Sequence, residues 1–243
     1  MLSAGGFLGA YQAGAWKALR ERFQPDLVIG ASAGALNGWA IAAGCDPDEL
    51  IADWLDPSNA ELMALRFPFP PWAGVFNPHQ LTARVDRLFA RFQPRIPFAL
   101  TTVEVPSLKL RLVHAEEVRA QHLLASCAIP GGFPTVSIQG RRLVDGGFLS
   151  VLPLWAAAEM GATRAVAIHA MPVMPSRLAR WAVGAFRAIA RNQPLAGDLE
   201  VRMIAPSRPA TRLREFVRWE RGRVQALIDM GYQDARAAAL FDG

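Results

Sequence analysis

Residues 26 to 38 run Asp26-Leu27-Val28-Ile29-Gly30-Ala31-Ser32-Ala33-Gly34-Ala35-Leu36-Asn37-Gly38, and the order of residue types here decides the fold class. Leu27-Val28-Ile29 reads as a short buried strand, and a small-residue helical pattern follows from Ala33 to about Ala43. Between them stands a G-x-S-x-G signature, Gly30 to Gly34. Strand, sharp turn and helix in that order are the layout of a nucleophile elbow, in which the strand delivers Ser32 into the turn and the helix starts at once behind its hydroxyl. A side chain at position 30 or 34 would collide with the neighbouring strand or helix in so tight a turn. The helix start also leaves unpaired backbone N–H groups where a developing oxyanion would sit. A Gly-rich turn with a merely solvent-facing serine is the competing reading, so the rest of the chain has to decide.

Working outward, Met1, Leu2 and Ser3 read as the end of a strand that feeds Ala4-Gly5-Gly6-Phe7-Leu8-Gly9. Tyr11, Ala15, Ala18 and Leu19 then recur at helical spacing up to about Arg22. Strand, helix, strand, helix in this opening stretch predicts an α/β fold: a three-layer α/β/α domain with a mostly parallel central sheet. Residues 46–93 read as helices with Pro-rich breaks. Leu81, Val85, Leu88, Phe89 and Phe92 form an apolar stripe there, and Phe67 to Trp72 form an aromatic loop that either meets lipid or an acyl chain or packs under the connection. Residues 97–105 and 108–114 read as paired strands separated by Pro106-Ser107. A helix is expected over 115–127 and a β segment over 136–144 with a turn near Gly140. Further strands are expected at 165–169 and 199–204, and a terminal helix at 221–240.

The chain has 243 residues, enough for one large domain spanning 1–243 whose core needs no metal or disulfide. The two cysteines, Cys45 and Cys127, form no disulfide framework and read as buried apolar residues, so a reducing, cytoplasmic setting is expected. The N-terminus carries no signal-peptide pattern, and no apolar stretch reaches the roughly 18 residues of a membrane span. Net charge is +5, and only Lys17 and Lys109 of the 26 basic residues are lysines. No nucleic-acid motif accompanies that charge, so nucleic acid is not expected as a partner; anionic lipid suits it better. Residues 176–191 alternate Arg177, Arg180, Arg187 and Arg191 with Leu178, Trp181, Val183, Phe186 and Ile189. That pattern is either a core helix with a solvated basic face or a peripheral membrane contact.

A serine hydroxyl needs a base. Of His79, His114, His122 and His169, only His169 stands at a predicted strand end, where an α/β enzyme places catalytic groups. The better candidate is Asp145 in Leu143-Val144-Asp145-Gly146-Gly147, an aspartate on a tight turn after a strand. Taken alone, Asp-Gly-Gly is common hairpin chemistry.

Three motifs in one order make the pattern specific: the glycine loop at 4–9, G-x-S-x-G at 30–34 and D-G-G at 145–147. Together they resemble the patatin-like phospholipases, Ser-Asp dyad acyl hydrolases. The likeness extends to Leu2 through Gly14, to Ala125-Ser126-Cys127-Ala128-Ile129-Pro130-Gly131-Gly132-Phe133-Pro134, and to Gly222 through Tyr232, and so covers nearly the whole chain. It implies Ser32 as a nucleophile that forms an acyl-enzyme and Asp145 as the base that takes its proton. It also implies Gly5 and Gly6 as oxyanion donors, with Gly9, Gly30, Gly34, Gly146 and Gly147 supporting the turns. No cofactor or metal is implied, and the partner is a lipid or acyl-ester substrate. Ala4 departs from the family's usual first glycine, and its Cβ is expected to narrow the loop or turn a donor away. Two other readings stay open: a carboxylesterase or thioesterase that uses the same dyad on soluble substrates, and a lipid-binding relative without catalysis. A dinucleotide site is excluded, because neither the full G-x-G-x-x-G nor a ribose-binding acid is present.

Overall fold

In the computed structural model, residues 1–67, 73–173, 184, 199–209 and 212–241 are described. In chain order the strands are β1 (Val28–Ala31), β2 (Phe98–Val105), β3 (Lys109–His114), β4 (Val136–Ile138), β5 (Arg141–Asp145), β6 (Arg164–Ile168) and β7 (Glu200–Ile204). The helices are α1 (Gly9–Leu19), α2 (Ala33–Ala42), α3 (Pro47–Leu55), α4 (Pro78–Arg91), α5 (Ala120–Ser126), α6 (Leu154–Glu159), α7 (Leu213–Val217) and α8 (Arg221–Ala237).

Every residue of β1 is buried, as expected of a parallel strand covered on both faces. Its side chains alternate between two cores. Val28 packs in the large core with α1 and α2, whereas Ile29 joins Trp155 and Ala156 of α6 on the opposite face. This is the three-layer α/β/α arrangement. The sheet is parallel from β7 through β6 and β1 to β2; between β6 and β1 the first strand shrinks to Leu2, which bridges to Ile168 and Gly30. Its other end is antiparallel, with β3 on one edge of β2 and the β4–β5 hairpin on the other. Gln139 and Gly140 both take positive φ, 49° and 76°, in that hairpin's two-residue turn.

One detail of register positions the chemistry. β1 and β5 share the same edge of β2, end to end: Ala31 lies opposite Thr101, and Asp145 lies opposite Thr102. The residue after Ala31 therefore meets the last residue of β5.

Several helices are shorter than the sequence pattern suggests; α1 ends at Leu19 rather than about Arg22. The helix expected over 115–127 begins only at Ala120, because Arg119 is extended and trades hydrogen bonds with His122, whose Nδ1 accepts from the Arg119 N–H at 3.1 Å. His122 is thus a capping residue. The terminal helix ends at Ala237 rather than 240. No helix among the described residues is long and apolar enough to cross a membrane.

Candidate active site

Ser32 sits between β1 and α2 with φ 54° and ψ −126°, a region that non-glycine residues rarely occupy. Close packing on every side enforces it. A Cβ at Gly30 would lie 2.1 Å from the Gly34 carbonyl oxygen, and one at Gly34 would lie 2.5 Å from the carbonyl oxygens of Leu2 and Ser3. The Ser32 N–H donates to Ser126 Oγ at 3.0 Å, and that hydroxyl donates onward to the Thr101 carbonyl at 3.0 Å. Ser126, fully buried, thus ties the elbow to β2. It stands in the stretch that resembles the family, but sequence alone assigned it no role.

The Asp145 carboxylate is buried and accepts from the Gly147 N–H at 2.7 Å. Burial pushes its pKa up to about 7, and the neighbouring Ser32 hydroxyl and the Gly147 N–H hold the rise back. A carboxyl that titrates near neutrality is matched to proton transfer from an alcohol far better than an ordinary aspartate. Cys127 lies beside the pair; burial, reinforced by the Asp145 charge, keeps its thiol protonated. His169 does not reach this site. Its N–H bonds the Ile204 carbonyl, burial lowers its pKa, and its Nδ1 finds no partner among the described residues. The fold thus brings Asp145, and not His169, to Ser32.

Gly5 caps a single 3₁₀ turn that Gly6 opens, Gly6–Leu8, and neither N–H finds an acceptor among the described residues. Gly6 has φ 53°, and a Cβ there would lie 2.7 Å from the carbonyl oxygen of Phe216 on α7. Gly146 lies so close to β2 that a Cβ would sit 2.4 Å from the Thr101 carbonyl. The Ala4 methyl does not turn into the cleft as a narrowing group. It is seated over Gly147, where a Cβ would come within 2.2 Å of it. The departure at position 4 is accommodated by the second glycine of D-G-G.

Sequence reading also missed the clamp on this loop. Gln12 Nε2 donates to the Ser3 carbonyl at 2.7 Å, and Asn37 Nδ2 donates to the Gly9 carbonyl at 3.0 Å, so the loop is held at both ends. Asn37 Nδ2 also reaches Gln12 Oε1 at 2.9 Å, while Asn37 Oδ1 accepts from Trp54 Nε1 at 2.9 Å. All of this is buried, where an unpaired polar group is costly. Asn37→Leu would leave two such groups, Gln12 Oε1 and Trp54 Nε1, unpaired and take one of its two donors from the Gly9 carbonyl. It is expected to lower stability by about 3 kcal/mol and Tm by on the order of 10 °C in calorimetry; an unchanged Tm would contradict the clamp.

A cavity of about 40 Å³ adjoins Ser32, lined among others by Gly6, Leu36, Trp54, Leu81 and Phe133. Arg84 closes it, buried, stacked 4.5 Å above Trp54, bonded to Asn59 Oδ1 at 2.7 Å and ion-paired with Asp53. A larger cavity of about 570 Å³ lies at the opposite ends of β1 and β6, away from Ser32. Phe67 is exposed; residues 68–72 of the aromatic loop lie outside the described residues, as does the basic segment 176–191 apart from Gly184.

A sequence profile of the patatin-like phospholipases matches residues 1–158. Patatin-like phospholipase domain-containing protein 6 of Homo sapiens is 27% identical over 177 residues, covering 69% of this chain and 13% of that protein. An uncharacterised NTE family protein of Mycobacterium tuberculosis is 29% identical over 188 residues, 72% of this chain and 50% of that one. The chain therefore spans only a fraction of the curated relatives it matches. Among solved structures, VipD from Legionella pneumophila superposes with a TM-score of 0.52 at 13% identity, over 96% of this chain and 65% of that one, a likeness of fold. With the ordered motifs and the profile match over residues 1–158, the chain belongs to the patatin-like phospholipase family.

Proposed function

We propose that the chain is a lipid acyl hydrolase that cleaves carboxylic ester bonds of phospholipids or related lipids through a Ser32–Asp145 dyad. Membership of the patatin-like phospholipase family supports lipid hydrolase activity. The observation that carries the dyad is the strained Ser32, brought by strand register beside a buried carboxylate that burial raises to near neutrality. In the first half-reaction Ser32 Oγ attacks the ester carbonyl carbon while its proton passes to Asp145. The resulting oxyanion is met by the N–H groups of Gly5 and Gly6. Collapse breaks the bond to the alcohol oxygen, which leaves with the proton from Asp145, and Ser32 remains acylated. Water then attacks the acyl carbon, giving its proton to Asp145; the carboxylic acid departs and Ser32 regains its hydrogen. No histidine is needed, because burial raises the aspartate to a useful basicity.

The small cavity favours one variation, an esterase or thioesterase acting on short acyl groups in solution. One experiment separates the two readings: release of carboxylic acid from long-chain phospholipid vesicles and from short monomeric esters and thioesters. Long-chain release supports the lipid assignment, turnover of short substrates alone supports the variation, and no turnover of either contradicts both. Since Asp145 must be ionised to act, kcat/KM is expected to fall about tenfold per pH unit below about 7 and to level above it.

A further inference from the structure

Large apolar side chains exposed to solvent are unevenly placed. Among the described residues they are Leu65, Phe67, Val75, Val173, Met203 and Leu213; Met203 belongs to β7, which pairs with β6. Leu65 and Phe67, 79% and 87% exposed, extend the segment that contributes Leu62 and Met63 to the cavity wall. Val75 lies beside them: the Arg66 N–H bonds the Val75 carbonyl while the Val75 N–H bonds the Gly131 carbonyl. Leu213, 52% exposed, belongs to α7, the helix whose Phe216 backs Gly6. Val173 follows Ala170, whose Cβ approaches Gly5. Two banks of the cleft thus carry apolar tips.

Charge is placed with them. Arg212, Arg214 and Arg218 are exposed around Leu213, and Arg208 and Arg221 are exposed nearby. Two carboxylates face this group: Glu215 accepts the Arg212 N–H at 2.8 Å, and Glu220 pairs with Arg218 and Arg223 at 3.5 and 3.0 Å. The balance is positive. Exposed apolar side chains flanked by arginines suit a surface that is apolar inside and anionic at its boundary. A second copy docked through the same face would bring like charges together, which disfavours it.

We propose that the rim of the cleft is a docking surface for an anionic phospholipid bilayer, with Leu65, Phe67 and Leu213 entering the interface and Arg212, Arg214 and Arg218 meeting lipid phosphates. This rests on the hydrolase reading and names the surface that would present bilayer lipid to Ser32. It differs from the basic segment 176–191 singled out in the sequence.

The test is flotation of the full-length Ser32→Ala protein, which binds without turnover, with vesicles of phosphatidylcholine alone or mixed in equal parts with phosphatidylglycerol. Binding is expected to the mixed vesicles and to weaken with added salt. Phe67→Ser with Leu213→Ser, and separately Arg212→Glu with Arg214→Glu, are expected to reduce that partition about tenfold or more. With Ser32 intact, the same substitutions should leave hydrolysis of a short monomeric ester unchanged, which shows that the variants are folded. Equal partition into both vesicle types, or variants that bind like their parent, would overturn the surface. So would sedimentation velocity in which Phe67→Ser dissolves a dimer, since the face would then be an interface between copies. If binding follows the expected pattern but wild type turns over no ester, the hydrolase reading fails and the surface stands. Vesicle hydrolysis with unaltered binding in the variants sinks the surface alone.

Discussion

Asp145→Asn is expected to lower kcat/KM on a monomeric ester by about a thousandfold to ten-thousandfold while leaving KM nearly unchanged. The amide can still accept from Gly147, so geometry is kept and the proton acceptor is lost. The same substitution should stabilise the protein at alkaline pH. Asp145 has a folded pKa of about 7 against an ordinary value of 3.8. As pH rises between those values, the unfolded chain releases its proton before the folded one does, so stability falls across that window and stays low above it. The penalty removed by the neutral amide is on the order of 4 kcal/mol above about pH 8. Calorimetry should find the variant more stable than wild type at pH 8, with the gap closing toward pH 4. A variant less stable at pH 8 would mean that the carboxylate's hydrogen bonds outweigh its burial.

Gly147→Ala should be nearly as damaging, for a steric reason. The added methyl would lie 2.2 Å from that of Ala4 and 3.0 Å from Asp145 Oδ1. To relieve it, either the strand leading into Gly5 and Gly6 or the aspartate turn must shift. Disturbing oxyanion donors costs about a hundred- to thousandfold in rate, and overpacking costs about 1–3 kcal/mol in stability. Ala4→Gly alone is expected to be close to neutral. Combined with Gly147→Ala it should recover stability and most of the rate, because the closer of the two collisions is gone. Absence of rescue would show that the contact with Asp145, or the backbone of the turn, dominates.

The elbow and the order of strands and helices are legible in sequence because they rest on local rules. A three-residue apolar run, glycines around a serine, and helical spacing of small residues need no knowledge of the rest of the fold. The partnership of Ser32 with Asp145 lies 113 positions apart in the chain; residues alone nominate it weakly, and the family resemblance nominates it well. What joins them physically is the shared edge of β2, a fact of register that no spacing reveals. Gln12, Asn37 and Ser126 were illegible for a different reason. Each is a polar residue with no motif around it, and only the tertiary contact shows which carbonyl or N–H it meets. Ala4 was visible as a departure, but its effect could be judged only with Gly147 placed opposite it. The early start expected for α5 failed because a local exchange of hydrogen bonds between Arg119 and His122 overrode the helical pattern.

A Ser32–Asp145 dyad requires that Ser32 become covalently acylated with Asp145 as its base. The most direct measurement is intact-mass and peptide-level mass spectrometry after exposure to an alkyl fluorophosphonate, which traps serine nucleophiles with loss of fluoride. Wild type should gain one adduct, located on Ser32, at a rate that rises with pH to a plateau above about 7. Ser32→Ala should gain none, Asp145→Asn should label far more slowly, and His169→Ala should label like wild type. An adduct on another residue, or labelling lost with His169 and kept without Asp145, would contradict the dyad.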